Sequence, residues 1–148
     1  MKLQHFAWGL LWACAGSSHA ALGGAAANLA GSALSQREVV QTLPSTTATY
    51  RETVLTSGTV VHEYRGADGI VYAVMWRGPF LPDLQTLLGT YFETLRSPPN
   101  PAGRKGSASL RVLQSDIGLV AGGHMGAFEG KAWIPAKLPA AVTANDLK

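Results

Sequence analysis

One histidine stands inside a glycine-rich segment near the C-terminal end of the chain. His124 lies between Gly122-Gly123 and Met125-Gly126, and glycines let the backbone approach a ligand closely while they leave the imidazole accessible. If Asp83 or Glu129 oriented this ring within a pocket, the imidazole could act as a general acid or base. The structural interpretation is a bulge or tight bend in which His124 hydrogen-bonds a backbone carbonyl. The residues alone leave both interpretations open.

A second candidate site is the segment Trp76-Arg77-Gly78-Pro79-Phe80, where a cation and two aromatic rings could form a shallow pocket. The alternative is that both rings belong to the core and that the aliphatic stem of the arginine covers them. The basic pair Arg104-Lys105 is interpreted as a solvated loop tip. The candidate ligand- or partner-binding residues are therefore Trp76, Arg77, Phe80, His124 and Met125.

The familiar catalytic spacings are missing from the sequence. The chain contains no G-x-S-x-G, Walker A or H-E-x-x-H motif, and no G-x-G-x-x-G after a predicted strand. His62 and Glu63 are adjacent, but neighbouring residues of a strand point to opposite faces and cannot act as one acid–base pair. The sequence thus predicts a non-catalytic module without a cofactor. The alternative is a small hydrolase-like envelope enzyme in which His124 is the catalytic residue.

Composition narrows the class of protein further. The 148 residues include 12 Lys and Arg against 9 Asp and Glu, and only 14% of residues are charged while 47% are hydrophobic. A disordered chain would be poorer in hydrophobic residues, and no basic run is present that would indicate nucleic-acid binding. The single Cys excludes a disulfide scaffold and a Cys-based zinc site. We expect no metal site.

The pattern of residues 1–20 is typical of a signal peptide. Lys2 gives a positive start, Phe6 to Gly16 is an uncharged and mostly apolar run, and Ser18-His19-Ala20 fits the small-x-small cleavage rule. The apolar run is too short for a membrane span. We therefore expect a periplasmic or secreted mature chain without cysteine and without a stable membrane span. A buried N-terminal helix and lipoprotein processing at Cys14 are the alternatives.

The remaining chain divides by hydrophobic density into three parts. Residues 21–49 are rich in Ala, Gly and Ser and are predicted to be a tether or a loosely docked arm, in which 35–43 could form a short helix or strand. Large hydrophobic residues concentrate in 50–139, which is predicted to be a single domain. Residues 140–148 are predicted to be a tail.

The periodicity within the domain predicts an antiparallel sheet and one main helix. A helix should begin at the capping residue Asp83, carry an apolar stripe to Leu95 and end at Ser97-Pro98-Pro99. In the strand 70–76, Tyr72, Val74 and Trp76 should share one face. The predicted order is β-β-β-α-β-β-β, an α+β fold of about six strands packed on one amphipathic helix. The six predicted strands are 48–56, 59–65, 70–76, 110–114, 119–122 and 128–134.

Several blocks, in this order along the chain, resemble an uncharacterised exported family of proteobacteria that is catalogued as domain of unknown function 2844. The resemblance implies an envelope location in a Gram-negative cell, and it supplies neither an activity nor catalytic residues. It covers most of the chain after the leader. The blocks are ALGG at 21–24, SGTVVHEY at 57–64, AVMWRGPFLPDL at 73–84, Leu88-Gly89, Tyr91-Phe92, GGHM at 122–125, FEGKAWIP at 128–135 and Leu138-Pro139.

The leading hypothesis from the sequence is a non-catalytic accessory or binding module of the cell envelope. Its partner would be another envelope protein, because the edge of an antiparallel sheet can be extended by a strand from a second chain. Nucleic acid is disfavoured as a partner by the small net charge.

Overall fold

Alternating side chains and short turns fold this chain into one antiparallel sheet. The structure is a computed structural model, and it describes residues 22–43, 46–96 and 109–148. Within these ranges the sheet has seven strands in the order β1-β2-β3-β4-β7-β6-β5. The strands are β1 (Ala33–Thr42), β2 (Thr47–Leu55), β3 (Val60–Arg65), β4 (Val71–Gly78), β5 (Leu110–Leu113), β6 (Gly118–His124) and β7 (Ala127–Trp133).

The antiparallel sheet was predicted, whereas the count of six strands was too low. The additional strand is β1, from a segment whose sequence left helix and strand equally open. It is mostly exposed, so it lacks the hydrophobic alternation that identifies a half-buried strand. The proposed signal peptide 1–20, Cys14, the helix end 97–99 and Arg104-Lys105 lie outside the described residues.

The N-terminal segment packs onto the sheet. Leu22, Ala27 and Leu29 are buried in the main hydrophobic cluster. The backbone N–H of Leu22 donates to Leu87 O at 3.0 Å, and that of Gly23 donates to Val71 O at 2.8 Å. This differs from the predicted loose arm 21–49. Only a few residues of this segment contact the core, and the Ala- and Gly-rich composition around them did not indicate that the segment packs on the sheet.

The predicted helix is present but short and interrupted. Helix α1 (Leu84–Leu88) is followed by a 3-10 turn (Gly89–Tyr91) and helix α2 (Phe92–Arg96). Asp83 caps α1, since its side chain accepts from the N–H groups of Gln85 and Thr86. Gly89, at φ 54°, ends α1 in a conformation that glycine adopts at little steric cost. The architecture is therefore mostly β.

The helices and the N-terminal segment cover one side of the sheet, here called the helix face. The side chains on this face form the main hydrophobic core. Close contacts between tryptophan and glycine fill part of the layer: a Cβ built on Gly130 would lie 2.2 Å from the ring of Trp76. The strand residues in this core include Leu55, Val61, Val71, Val74, Trp76, Val112, Leu119 and Ala132.

The opposite side is here called the groove face, and residues 138–148 cover part of it. Val142 and Leu147 are buried in a second cluster with Tyr64, Tyr72 and Ala73. Residues 140–148, predicted as a tail, thus contribute to a hydrophobic core.

One part of the predicted strand alternation was wrong. Tyr72 packs on the groove face, whereas Val74 and Trp76 pack on the helix face. The pairing of β3 with β4 shifts register between Tyr64 and Arg65. Such a shift inserts an extra residue and reverses which side chains face which way. The two-residue alternation of β4 therefore holds only from Ala73 onward, after the bulge.

Candidate binding groove

The hairpin that joins β6 and β7 carries the glycine-flanked histidine. His124 is exposed, its Nδ1 lies 3.1 Å from the carbonyl oxygen of Met125, and the Met125 side chain is 92% exposed. A contact of this kind, between His124 and a backbone carbonyl, is what the interpretation of the segment as a bulge or tight bend predicts. Asp83 is engaged in capping α1. Among the described residues, no hydrogen bond joins His124 to Asp83 or Glu129.

The segment 76–80 is divided between the two faces. Trp76 is 2% exposed in the core, whereas Arg77, the next residue of β4, is exposed on the groove face. Phe80 is 61% exposed and lies outside the groove described below. Arg77 and His124 do come together, because both line a shallow depression of about 420 Å³ that Glu129 also lines.

A larger groove of about 760 Å³ lies on the part of the groove face that residues 138–148 leave open. Strands β3, β4, β7 and β6 form its floor. The lining residues are Val60, His62, Met75, Trp76, Arg77, Ser109, Val120, Ala121, Gly122, Glu129, Gly130, Lys131 and Lys148.

Strand register explains why these residues meet. One row across the sheet runs His62, Met75, Lys131 and Val120, and the adjacent row runs Val60, Arg77, Glu129 and Gly122. Residues directly opposite on antiparallel strands share a face, so each row presents its side chains to the same side. Gly122 contributes no side chain, which leaves room at the β6 end of the second row.

The groove combines an apolar floor with an excess of positive charge. Val60, Met75 and Val120 supply the apolar surface. Arg77, Lys131 and Lys148 outnumber the one lining carboxylate, Glu129. Arg111 lies on the same face, opposite Val120.

Two of these guanidinium groups are available for a ligand. In the part of the chain that the structure describes, the side chains of Arg77 and Arg111 make neither a hydrogen bond nor an ion pair. Both side chains are exposed. Anionic groups are the chemistry that such a surface fits, because arginine holds carboxylates with two parallel hydrogen bonds.

His62 closes one side of the groove through two hydrogen-bonding contacts. Its Nε2 lies 3.1 Å from Glu52 Oε2, and its Nδ1 lies 2.9 Å from the main-chain oxygen of Lys148. Arg37 donates to the other Glu52 oxygen at 2.7 Å and thereby holds the pKa of that carboxyl below its ordinary value. His62 thus links β3 to Glu52 on one side and to the end of residues 138–148 on the other.

Residues 138–148 show how the groove face holds a peptide. Lys131 Nζ donates to Ala144 O at 2.6 Å, and Gln41 Nε2 donates to Asp146 O at 3.1 Å. The hydroxyl of Tyr64, whose pKa burial raises to about 12, donates to Lys148 O at 2.5 Å. Side chains of the sheet thus bind main-chain carbonyls, while Val142 and Leu147 fill apolar depressions between them.

Among the lining residues, Trp76 and Arg77 were predicted from the sequence, whereas most of the others were not. His62, Met75 and Lys131 are far apart in the chain, and a two-residue period alone does not say which strands are neighbours. The pairing of β4 with β7 was the missing information. Within the described residues, no three His, Cys, Asp or Glu side chains are grouped so that they could hold a metal ion.

Comparison with known proteins gives one match. A family model described as a protein of unknown function, DUF2844, matches residues 18–147. No curated protein and no solved structure matches the chain. None of the helices formed by the described residues is long and apolar enough to cross a membrane.

Proposed function

The chain belongs to the DUF2844 family of proteins of unknown function, and on this premise we propose that it is a non-catalytic binding module of the cell envelope. Residues 1–20 act as its signal peptide, and cleavage near Ala20 releases a periplasmic or secreted chain. This proposal is supported by Lys2, by the apolar run that follows it and by the small residues at the cleavage site.

The groove is the proposed binding surface, and its ligand is an extended acidic segment of another envelope protein. The main support for this proposal is that the groove face already binds residues 138–148, through hydrogen bonds that side chains of the sheet donate to main-chain carbonyls. A ligand peptide would lie beside this segment, with its apolar side chains on Met75 and Val120.

Charge selects the class of peptide. Acidic side chains of the ligand would pair with Arg77 and Arg111, whose guanidinium groups have no partner among the described residues. A lipid is a weaker fit, because the apolar floor is one layer of three aliphatic side chains and gives no enclosed space for an acyl chain. Charged groups of opposite sign also steer the encounter of two proteins.

Photo-crosslinking in cells tests the groove. A benzophenone amino acid replaces Val120 in the groove, and in the control it replaces the exposed Leu81 outside it. We expect Val120-dependent adducts whose cross-linked peptide is acidic. These adducts should be lost in Arg77→Glu/Arg111→Glu and kept in Arg96→Glu, which reverses an exposed charge elsewhere.

Three results would overturn the proposal for the groove. The first is an absence of adducts beyond those of the Leu81 control. The second is a set of adducts that survives the reversal of both arginines. The third is cross-linking only to lipid or to peptides without acidic residues.

Cell fractionation and N-terminal sequencing test the export step. We expect the protein in the periplasm or the medium, with Ala21 as its first residue. Retention of Met1 in a cytoplasmic protein, or labelling of Cys14 by a fatty acid, would contradict cleavage near Ala20.

A further inference from the structure

Strand β1 stands at one end of the sheet order, and its outer edge pairs with no strand among the described residues. It is ten residues long and contains neither proline nor glycine. Natural proteins usually protect such edges with short strands, prolines, bulges, charged side chains or a covering segment. The edge of β1 therefore presents an extended set of backbone hydrogen-bonding groups.

The charged residues of β1 are ion-paired with the neighbouring strands. Arg37 Nε is bonded to Glu52 on β2 at 2.7 Å. Glu38 pairs with Arg51 and Arg65 of the neighbouring strands. Both side chains are thus drawn towards the centre of the sheet. An approaching strand would therefore meet charges that are already ion-paired within the sheet, on side chains that are 70% exposed for Arg37 and 51% exposed for Glu38.

The hairpin between β1 and β2 determines which backbone groups point outward. Leu43 N–H donates to Thr46 O at 2.7 Å, so this is a hydrogen-bonded pair. Because bonded and non-bonded pairs alternate along an antiparallel ladder, the odd-numbered residues of β1 after the register shift at Ala33/Ser35 bond to β2. The N–H and C=O groups of Gln36, Glu38, Val40 and Thr42 consequently point away from the sheet.

A second copy of the same strand fits this edge. A two-fold axis between antiparallel strands places one residue opposite itself. An axis at Arg37 would oppose two guanidinium groups, and an axis at Glu38 would oppose two carboxylates. An axis at Val39 opposes two valine side chains. It also sets Val40 opposite Glu38 of the other copy, so that the outward N–H and C=O groups of these two residues face one another.

We propose that β1 pairs antiparallel with β1 of a second copy about a two-fold axis at Val39. The two sheets then continue into one another through their edges. Val40, which is 68% exposed in the single chain, becomes part of the interface. The groove lies on the face of strands β3, β4, β7 and β6, so this pairing does not depend on the proposed peptide ligand.

The oligomeric state of the purified protein tests the pairing. Sedimentation or light scattering should give a dimer at tens of micromolar. Val40→Pro removes one outward N–H while leaving the bonds to β2 intact, and it should yield a monomer. The matched variant Val40→Thr keeps the N–H group and the shape of the side chain, so it should remain a dimer.

Cysteine crosslinking tests the register without relying on the proline variant. In the full chain carrying Cys14→Ser, Val39→Cys should oxidise to a covalent dimer, because a non-bonded antiparallel pair brings Cα atoms within the range of a disulfide. Arg37→Cys should not crosslink. A monomeric wild-type protein, a dimer that persists in Val40→Pro, or preferential crosslinking at position 37 would overturn the proposal.

Discussion

Glu63 is an ionisable residue in the hydrophobic core. Its side chain is 1% exposed, and its Oε1 accepts the backbone N–H of Ala27 at 2.5 Å. Its Oε2 has no partner among the described residues. Burial raises the pKa of this carboxyl, and the Ala27 N–H and the nearby Arg51 and Arg65 oppose that shift. The residue thus attaches the N-terminal segment to the sheet at an electrostatic cost.

The pH dependence of stability should reveal this cost. A carboxyl whose pKa is raised in the folded state favours folding most below the unfolded value of 4.5, and that contribution is lost as pH rises through the folded pKa. Relative to Glu63→Gln, the wild type should therefore lose unfolding free energy as the pH rises above 4.5 and through the raised pKa of the folded state. Urea titrations across this range measure the difference, and a constant difference would contradict the ionisation of Glu63.

The sequence predicted the faces of His62 and Glu63 correctly, because a strand alternates its side chains. His62 lines the groove, and Glu63 lies on the helix face. It could not predict that the carboxylate would be the buried member of the pair. That burial depends on the N-terminal segment, whose docking residues are few and separated by Ala and Gly.

At the scale of elements, two tryptophan–glycine contacts hold the central strands together on opposite faces. Trp76 of β4 packs over Gly130 of β7, and Trp133 of β7 packs over Gly118 of β6. In each case a Cβ on the glycine would lie 2.2 Å from the indole ring. The glycines are therefore required by close packing across the sheet.

Gly130→Ala should reduce the free energy of unfolding by about 1–3 kcal/mol, the usual cost of inserting a methyl group into a packed core. Gly31→Ala is the matched control, since a Cβ there meets nothing within 4 Å. That control should change stability by less than about 0.5 kcal/mol. Chemical denaturation of both variants makes the comparison, and equal effects would contradict the packing role of Gly130.

The sequence predicted six of the seven strands and the N-cap of the helix from local patterns. Asp83 before an apolar stripe located the start of α1 correctly. Local patterns did not locate the break at Gly89, because the apolar spacing continues through it. For β1 the sequence left helix and strand open, because this segment is exposed on most of its length and its pairing with β2 decides its conformation.

For the whole molecule, residues 138–148 and the N-terminal segment close opposite faces of one sheet. Leu147→Ala removes a side chain that is 3% exposed, and it should cost about 2–5 kcal/mol of unfolding free energy. The variant should also expose residues 138–148 to proteases in the native state. Met125→Ala, at a site that is 92% exposed, should leave both measurements unchanged.

Limited proteolysis and urea denaturation distinguish two roles for this segment. If Leu147→Ala were as stable and as protease-resistant as Met125→Ala, residues 138–148 would contribute nothing to the core. The candidate site would then lose its best support, because the bound segment is the precedent for a peptide on this face.

The strand order has a kinetic consequence. Every neighbouring pair of described strands follows one another in the chain except β4 and β7, where Ala73 meets Trp133. Local hairpins form quickly, whereas a pairing between distant residues must first overcome a large loop-closure entropy. Until β7 pairs with β4, the edge of this apolar strand is exposed and can pair with another chain. The pairing of β4 with β7, which joins strands β1 to β4 to strands β5 to β7, is thus the expected slow step of folding. A newly made chain is most prone to aggregate before this pairing forms.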